Sequence, residues 1–202
     1  APVGGQAANT PAKPINEIAA PNLKVGDTWI FQKVDLFSGS VISKYTSTLK
    51  AITADEWQFA SGGVTDKSWN YLRVLQGDKV VTTWSPRQHL LDFPLRPGKT
   101  WSEVAVVENQ KLTSERKIEF KVMRQERILV PAGVFDTLRV EGVGKYKTVM
   151  KAGDSGEGTI AYRYWFSPDV GRVVAYEYEE TNWKGVLSRK ERDELLSYQR
   201  AK

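Results

Sequence analysis

The sequence predicts a mostly β fold, an antiparallel open or partly closed barrel or sandwich built from two similar halves. Three observations carry that expectation. Leu23-Lys24-Val25-Gly26-Asp27-Thr28-Trp29 returns 72 positions later as Leu95-Arg96-Pro97-Gly98-Lys99-Thr100-Trp101, and each copy opens a run of strand formers. Self-similarity of this kind constrains the whole architecture. Trp84-Ser85-Pro86 late in the first half is echoed by Trp165-Phe166-Ser167-Pro168 late in the second. Between these landmarks, β-branched and aromatic residues alternate with polar ones and are punctuated by Gly, Asn, Asp and Ser.

The elements follow in order. Residues 1–22 carry four prolines and no apolar periodicity; such a stretch buries too little to offset its ordering entropy and reads as a flexible Pro/Ala-rich tether. It lacks the basic start and apolar core of a secretory signal, so we expect any signal to have been removed, with room for a lipid anchor on a residue before Ala1. Residues 23–202 read as a single β domain whose halves are 23–94 and 95–202. Thr28 to Val34 and Val41 to Ile52 form a hairpin across Ser38-Gly39-Ser40. Trp57 to Phe59 ends at Gly62-Gly63. Tyr71 to Leu75 meets Val80 to Trp84 across Gly77-Asp78. Thr100 to Asn109 and Ser114 to Val130 make a long pair, followed by a type I turn at Val130-Pro131-Ala132-Gly133. Phe135 to Lys147, Thr159 to Phe166 and Arg172 to Glu180 come next, with a flexible loop around Asp154 to Gly158 and a turn at Asn182-Trp183-Lys184-Gly185. Val186 to Tyr198 reads as a closing strand, with a short charged helix as the competing reading.

Composition narrows the chemistry. The chain has 202 residues, 29 bases against 24 acids, one histidine and no cysteine. Disulfides, thiolate nucleophiles, cysteine-zinc sites and iron–sulfur clusters are excluded. The base excess is spread along the chain, which suits weak attraction to anionic surfaces and carries no nucleic-acid signature. No apolar run is long enough for a spanning helix. His89 has Asp92 nearby but no nucleophile elbow, and reads as a loop residue. Asp154-Ser155-Gly156-Glu157-Gly158 supplies too few oxygens for a calcium cage. No phosphate-binding or dinucleotide glycine loop occurs in the right context. We therefore expect no catalytic residues, no metal, no cofactor and no enzyme activity.

The most suggestive surface is aromatic. Tyr162, Tyr164 and Phe166 alternate along one strand, and Val174, Tyr176 and Tyr178 along the next, so each set shares one face. If the faces coincide, they build a ladder that is either core or the lining of a groove. Tyr162, Tyr164, Phe166, Tyr176 and Tyr178 are the candidate ligand-binding residues.

The stretch Val130-Pro131-Ala132-Gly133-Val134-Phe135-Asp136, with Trp165-Phe166-Ser167-Pro168-Asp169-Val170-Gly171, resembles a pattern in uncharacterised exported bacterial β-rich proteins and lipoproteins. Some of these are distantly similar to half-barrel lipoprotein carriers, in which a curved antiparallel sheet encloses an apolar cavity. The resemblance implies a periplasmic or outer-membrane-associated protein binding an apolar ligand or an envelope protein. Stacking of a cell-wall polysaccharide on the tyrosines, and a structural role in an envelope complex, are the competing expectations. Oligomeric state is left open.

Overall fold

Strand formers separated by glycine turns give twelve antiparallel strands in the computed structural model, which describes residues 14–202. They are β1 (Thr28–Asp35), β2 (Val41–Ile52), β3 (Glu56–Phe59), β4 (Gly63–Asp66), β5 (Tyr71–Gln76), β6 (Lys79–Ser85), β7 (Thr100–Asn109), β8 (Leu112–Val130), β9 (Gly133–Met150), β10 (Ser155–Ser167), β11 (Arg172–Asn182) and β12 (Leu187–Gln199). Each strand pairs with its sequence neighbours, and β12 returns to pair with β1, so the sheet closes into an up-and-down barrel. Closure removes most of the free sheet edge. Among the described residues, no helix is long and apolar enough to cross a membrane.

The repeated heptapeptide is a structural unit. In each copy the glycine takes a positive φ, +96° at Gly26 and +86° at Gly98, which a residue with a Cβ adopts only at a cost. The turn is closed by Asp27 N to Lys24 O in one copy and Lys99 N to Arg96 O in the other, both 3.0 Å. Each turn then grips the returning strand of its own hairpin. Gly26 N donates to Leu49 O and Leu49 N to Asp27 O; Gly98 N donates to Val122 O and Val122 N to Lys99 O. Trp29 and Trp101, two residues beyond, both turn into the core.

Val186 to Tyr198 is the closing strand expected, held between β11 and β1. Other expectations need correction. Gly63–Asp66 forms a strand that the Gly-Gly pair disguises as a turn. Asp154 to Gly158 is mostly strand too, because β10 starts at Ser155. Glycine reads as a breaker, but at Gly158 it permits close strand contact: an added Cβ would lie 1.8 Å from Thr181 O. The expected tether is partly built into the fold. Residues 1–13 lie outside the described residues, yet Ile18 is buried and exchanges both backbone hydrogen bonds with Leu95. Ile15 also packs against the core.

Two apolar clusters fill much of the barrel. One runs through Trp101, Phe120, Tyr162 and Phe166; the other joins Trp29, Leu49, Trp57 and Phe59. The wall is uneven. The β2–β3 register covers only Leu49 to Ile52, and β6 meets β7 only over Thr82–Ser85. Beside the upper part of β7 the loop from Pro86 to Lys99 takes the place of a strand. Trp101 Nε1 donates to His89 O at 2.9 Å, and the His89 amide donates to the buried Glu103 carboxylate. Along the lower half of β2, Val41 to Thr46 pair with β1 only, among the described residues.

Candidate functional site

The two aromatic faces coincide. Tyr162 lies opposite Tyr178 and Tyr164 opposite Tyr176, while a bulge between Trp165 and Phe166 sets Phe166 against Val173. Tyr164 and Tyr176 stack nearly parallel, 5.0 Å apart at 6°. The ladder points into the barrel, with Tyr162 and Tyr164 each 3% exposed and Tyr178 7%. Trp165 takes the opposite face, where its Nε1 donates to Glu126 Oε2 at 2.9 Å.

The ladder then divides. Tyr162, Phe166 and Tyr178 are packed into the core; Tyr162 accepts a hydrogen bond from Arg116 Nη1 at 3.2 Å, and Tyr178 donates to Glu180. Tyr164, also packed in that core, and Tyr176 line a cavity of about 260 Å³ inside the barrel. Its other walls come from Phe31, Tyr45, Trp69, Tyr71, Gln88, Leu90, Leu91, Arg172, Val173 and Asp193. Tyr45, 38% exposed, sits on the part of β2 without a β3 partner, so the cavity reaches solvent there.

One wall is a cation in an aromatic cage. The Arg172 guanidinium carbon lies 4.4 Å from the Trp69 ring centre, 4.9 Å from Trp29, 5.0 Å from Phe31 and 5.9 Å from Phe59. Each such contact contributes about 0.5–2 kcal/mol. Trp69 is the hub, in edge contact with Trp29 and Trp57 and stacked on Phe59. It takes a φ of +67°, a strained conformation for a bulky side chain. The surroundings hold it there: Asp66 Oδ1 accepts from the Ser68 and Asn70 amides, and Trp69 Nε1 donates to Gly171 O at 3.1 Å. Asn70 then ties this turn to the Pro86–Lys99 loop by exchanging two hydrogen bonds with the Leu91 backbone.

The opposite polar group is Asp193. Lys33 Nζ and Tyr45 Oη each donate to it at 2.6 Å. Burial, the neighbouring Asp193 charge and that hydrogen bond push the Tyr45 phenol up. Burial also raises Tyr164 and Tyr176, so these hydroxyls stay protonated donors at neutral pH. Burial pulls Arg172 down from its ordinary value, and a guanidinium keeps its charge in proteins at neutral pH. His89 lies outside this cavity, 3.4 Å from Asp92. Among the described residues, no cluster of three or more His, Asp or Glu side chains is arranged to hold a metal.

Sequence reasoning missed Arg172, Trp69, Phe31, Tyr45 and Asp193. The usable signal was a tryptophan beside a turn, in Lys67-Ser68-Trp69-Asn70, and a base placed at a strand start after Gly171.

No protein-family profile and no curated protein matches the chain. Solved structures do. A candidate lipoprotein from Parabacteroides distasonis aligns over 90% of this chain and 99% of its own, at 14% identity and a TM-score of 0.51. The shared property is the fold. A candidate exported protein with a YmcC-like fold from Bacteroides fragilis aligns over 91% and 100%, at 10% identity and a TM-score of 0.44. The hypothetical lipoprotein YmcC from Escherichia coli aligns over 86% and 85%, at 12% and 0.40.

Proposed function

We propose that this chain is an exported cell-envelope protein that acts by binding, holding the apolar body of a small ligand inside its barrel. The observation that carries the reading is the aromatic cavity faced by Tyr164 and Tyr176 and reaching solvent beside Tyr45. Concave, mostly apolar sites with a few converging polar groups are the usual form of small-ligand sites. The cavity's polar groups are an arginine, an amide, phenols and an aspartate already held by Lys33, a set suited to reception rather than to nucleophilic chemistry. The envelope assignment draws on the fold shared with the Parabacteroides protein described as a candidate lipoprotein. The inward-facing ladder leaves no open tyrosine platform for a polymer, which weighs against the cell-wall reading.

A second reading rests on the lower half of β2. Val41 and Ile42 are half exposed there, and the strand has a free side toward β3, the kind of edge to which a partner adds a strand. Native mass spectrometry of protein purified gently from its own envelope tests both. A retained small molecule released on unfolding is the expected result. A bare chain overturns the cavity reading, and a retained protein subunit on a bare chain replaces it with the partner reading.

A further inference from the structure

Arg172 is a partly buried cation that makes no direct ion pair among the described residues, although the Asp193 charge acts on it across the cavity. The one acid lining the cavity, Asp193, is taken by Lys33 and Tyr45. Burying an unpaired charge is costly, and the ring faces around Arg172 satisfy its charge without satisfying its N–H donors. Among the described residues only Nη1 has a protein acceptor, Ser47 Oγ at 2.8 Å. The remaining guanidinium nitrogens are not sealed off, and Arg172 lines the cavity. Tyr164 Oη, by contrast, is sealed from the cavity and has no hydrogen-bond partner among the described residues.

We infer that the cavity receives a carboxylate carried on an apolar body, with the Arg172 fork gripping the carboxylate. The inference rests on the cavity reading above and names its ligand class. A guanidinium edge matches two carboxylate oxygens at once, and the surrounding rings raise the strength of that pair by excluding water. Size limits the ligand. At about 30 Å³ per water, 260 Å³ holds about eight waters, enough for a compact aryl acid or for the head of a fatty acid whose tail leaves past Tyr45.

The experiment is calorimetric titration of the full chain, at fixed ionic strength, with 3-phenylpropionate, decanoate and the uncharged 3-phenylpropan-1-ol. We expect both acids to bind and the alcohol to bind at least tenfold more weakly. Arg172→Lys keeps the charge in its cage but loses the fork, and should weaken the acids roughly tenfold. Tyr164→Phe is the control: it removes a hydroxyl sealed from the cavity and should leave binding of the acids unchanged without lowering the melting temperature. A tighter decanoate assigns the carboxylate to a fatty acid and a tighter 3-phenylpropionate to a compact aryl acid; both uphold the inference. Equal binding of the alcohol and the aryl acid overturns the inference and leaves the cavity reading standing. Binding of none of the three overturns both.

Discussion

The β1–β2 and β7–β8 hairpins begin from the same heptapeptide and make the same three backbone hydrogen bonds, yet they enclose different things. In the first, Trp29 borders the Arg172 cage and its indole N–H is buried without a partner among the described residues. Two residues on, Phe31 stacks on Tyr45 at the cavity wall. In the second, Trp101 stacks on Phe120 at 5.5 Å and its N–H is satisfied by His89 O. The position matching Phe31 is Glu103, buried against the loop that fills the wall. The fifth residue of the motif differs as well. Asp27 holds the chain's end, accepting from the Lys24 and Ala201 amides at 2.9 and 2.7 Å and pairing with Arg200 at 3.2 Å. Lys99 holds the loop, reaching the Asp92 carboxylate at 2.9 Å and the Pro94 carbonyl at 3.1 Å. The lesson is a division of labour. Backbone hydrogen bonds set by the glycine turn build the hairpin, and three side-chain positions decide whether its interior is hollow or filled.

The largest break in that symmetry should come at the fifth residue. Asp27 is fully buried, so Asp27→Ala strands two amide donors and an arginine and should cost about 2–3 kcal/mol. Lys99→Ala removes a partly exposed clamp and should cost about 1 kcal/mol or less. Denaturant midpoints compare the two. Hydrogen exchange adds the location: faster exchange at Ala201 for the first variant, and at the Leu91 amide for the second. Equal costs would mean that the two turns carry equivalent loads and that the division of labour is wrong.

Much of this framework was legible in the sequence because it is local. Val41 to Ile52 and Thr100 to Asn109 could be bounded to the residue, since alternation and flanking turn formers are short-range signals. The alternating tyrosines also predicted their shared face. What escaped was long-range. Val186 to Tyr198 reads locally as a closing strand, but its register against β1, which completes the barrel, is a long-range pairing that no local pattern announces. The cavity draws Phe31, Tyr45, Trp69, Arg172 and Asp193 from five separate segments, and before folding Arg172 is one of 29 bases with nothing to distinguish it. Gly63 and Gly158 misled for the opposite reason, as residues whose usual role as breakers is reversed by close strand packing.

The turn glycines test the shared half of the comparison. Each lies at positive φ, and an added Cβ would meet only Ala201 Cβ at 3.5 Å near Gly26 and nothing near Gly98. Sterics are therefore matched, and the cost of Gly26→Ala and Gly98→Ala should be the conformational penalty alone, about 1–2 kcal/mol in each. Unequal losses in thermal unfolding would show that the two turns are not the same structural unit.

The smallest effect belongs to Glu103 and separates the hairpins by pH. Burial raises its carboxyl above the ordinary value, against the opposing pull of the His89 amide and Arg116. The native protein thus holds this proton to a higher pH than the unfolded chain does. The associated stability is fully present below the unfolded-state value and is lost as pH rises through the folded one. Glu103→Gln keeps an oxygen for the His89 amide and abolishes the ionisation. The wild type's advantage over this variant should therefore shrink from pH 4 toward neutrality in urea unfolding. Phe31, at the matching position, has no proton to lose, so Phe31→Leu should shift stability by the same amount at every pH. A wild-type advantage over Glu103→Gln that stays flat across that range would mean that Glu103 is no more costly to ionise than a surface carboxylate, and that the filled hairpin is not sealed from water as its packing implies.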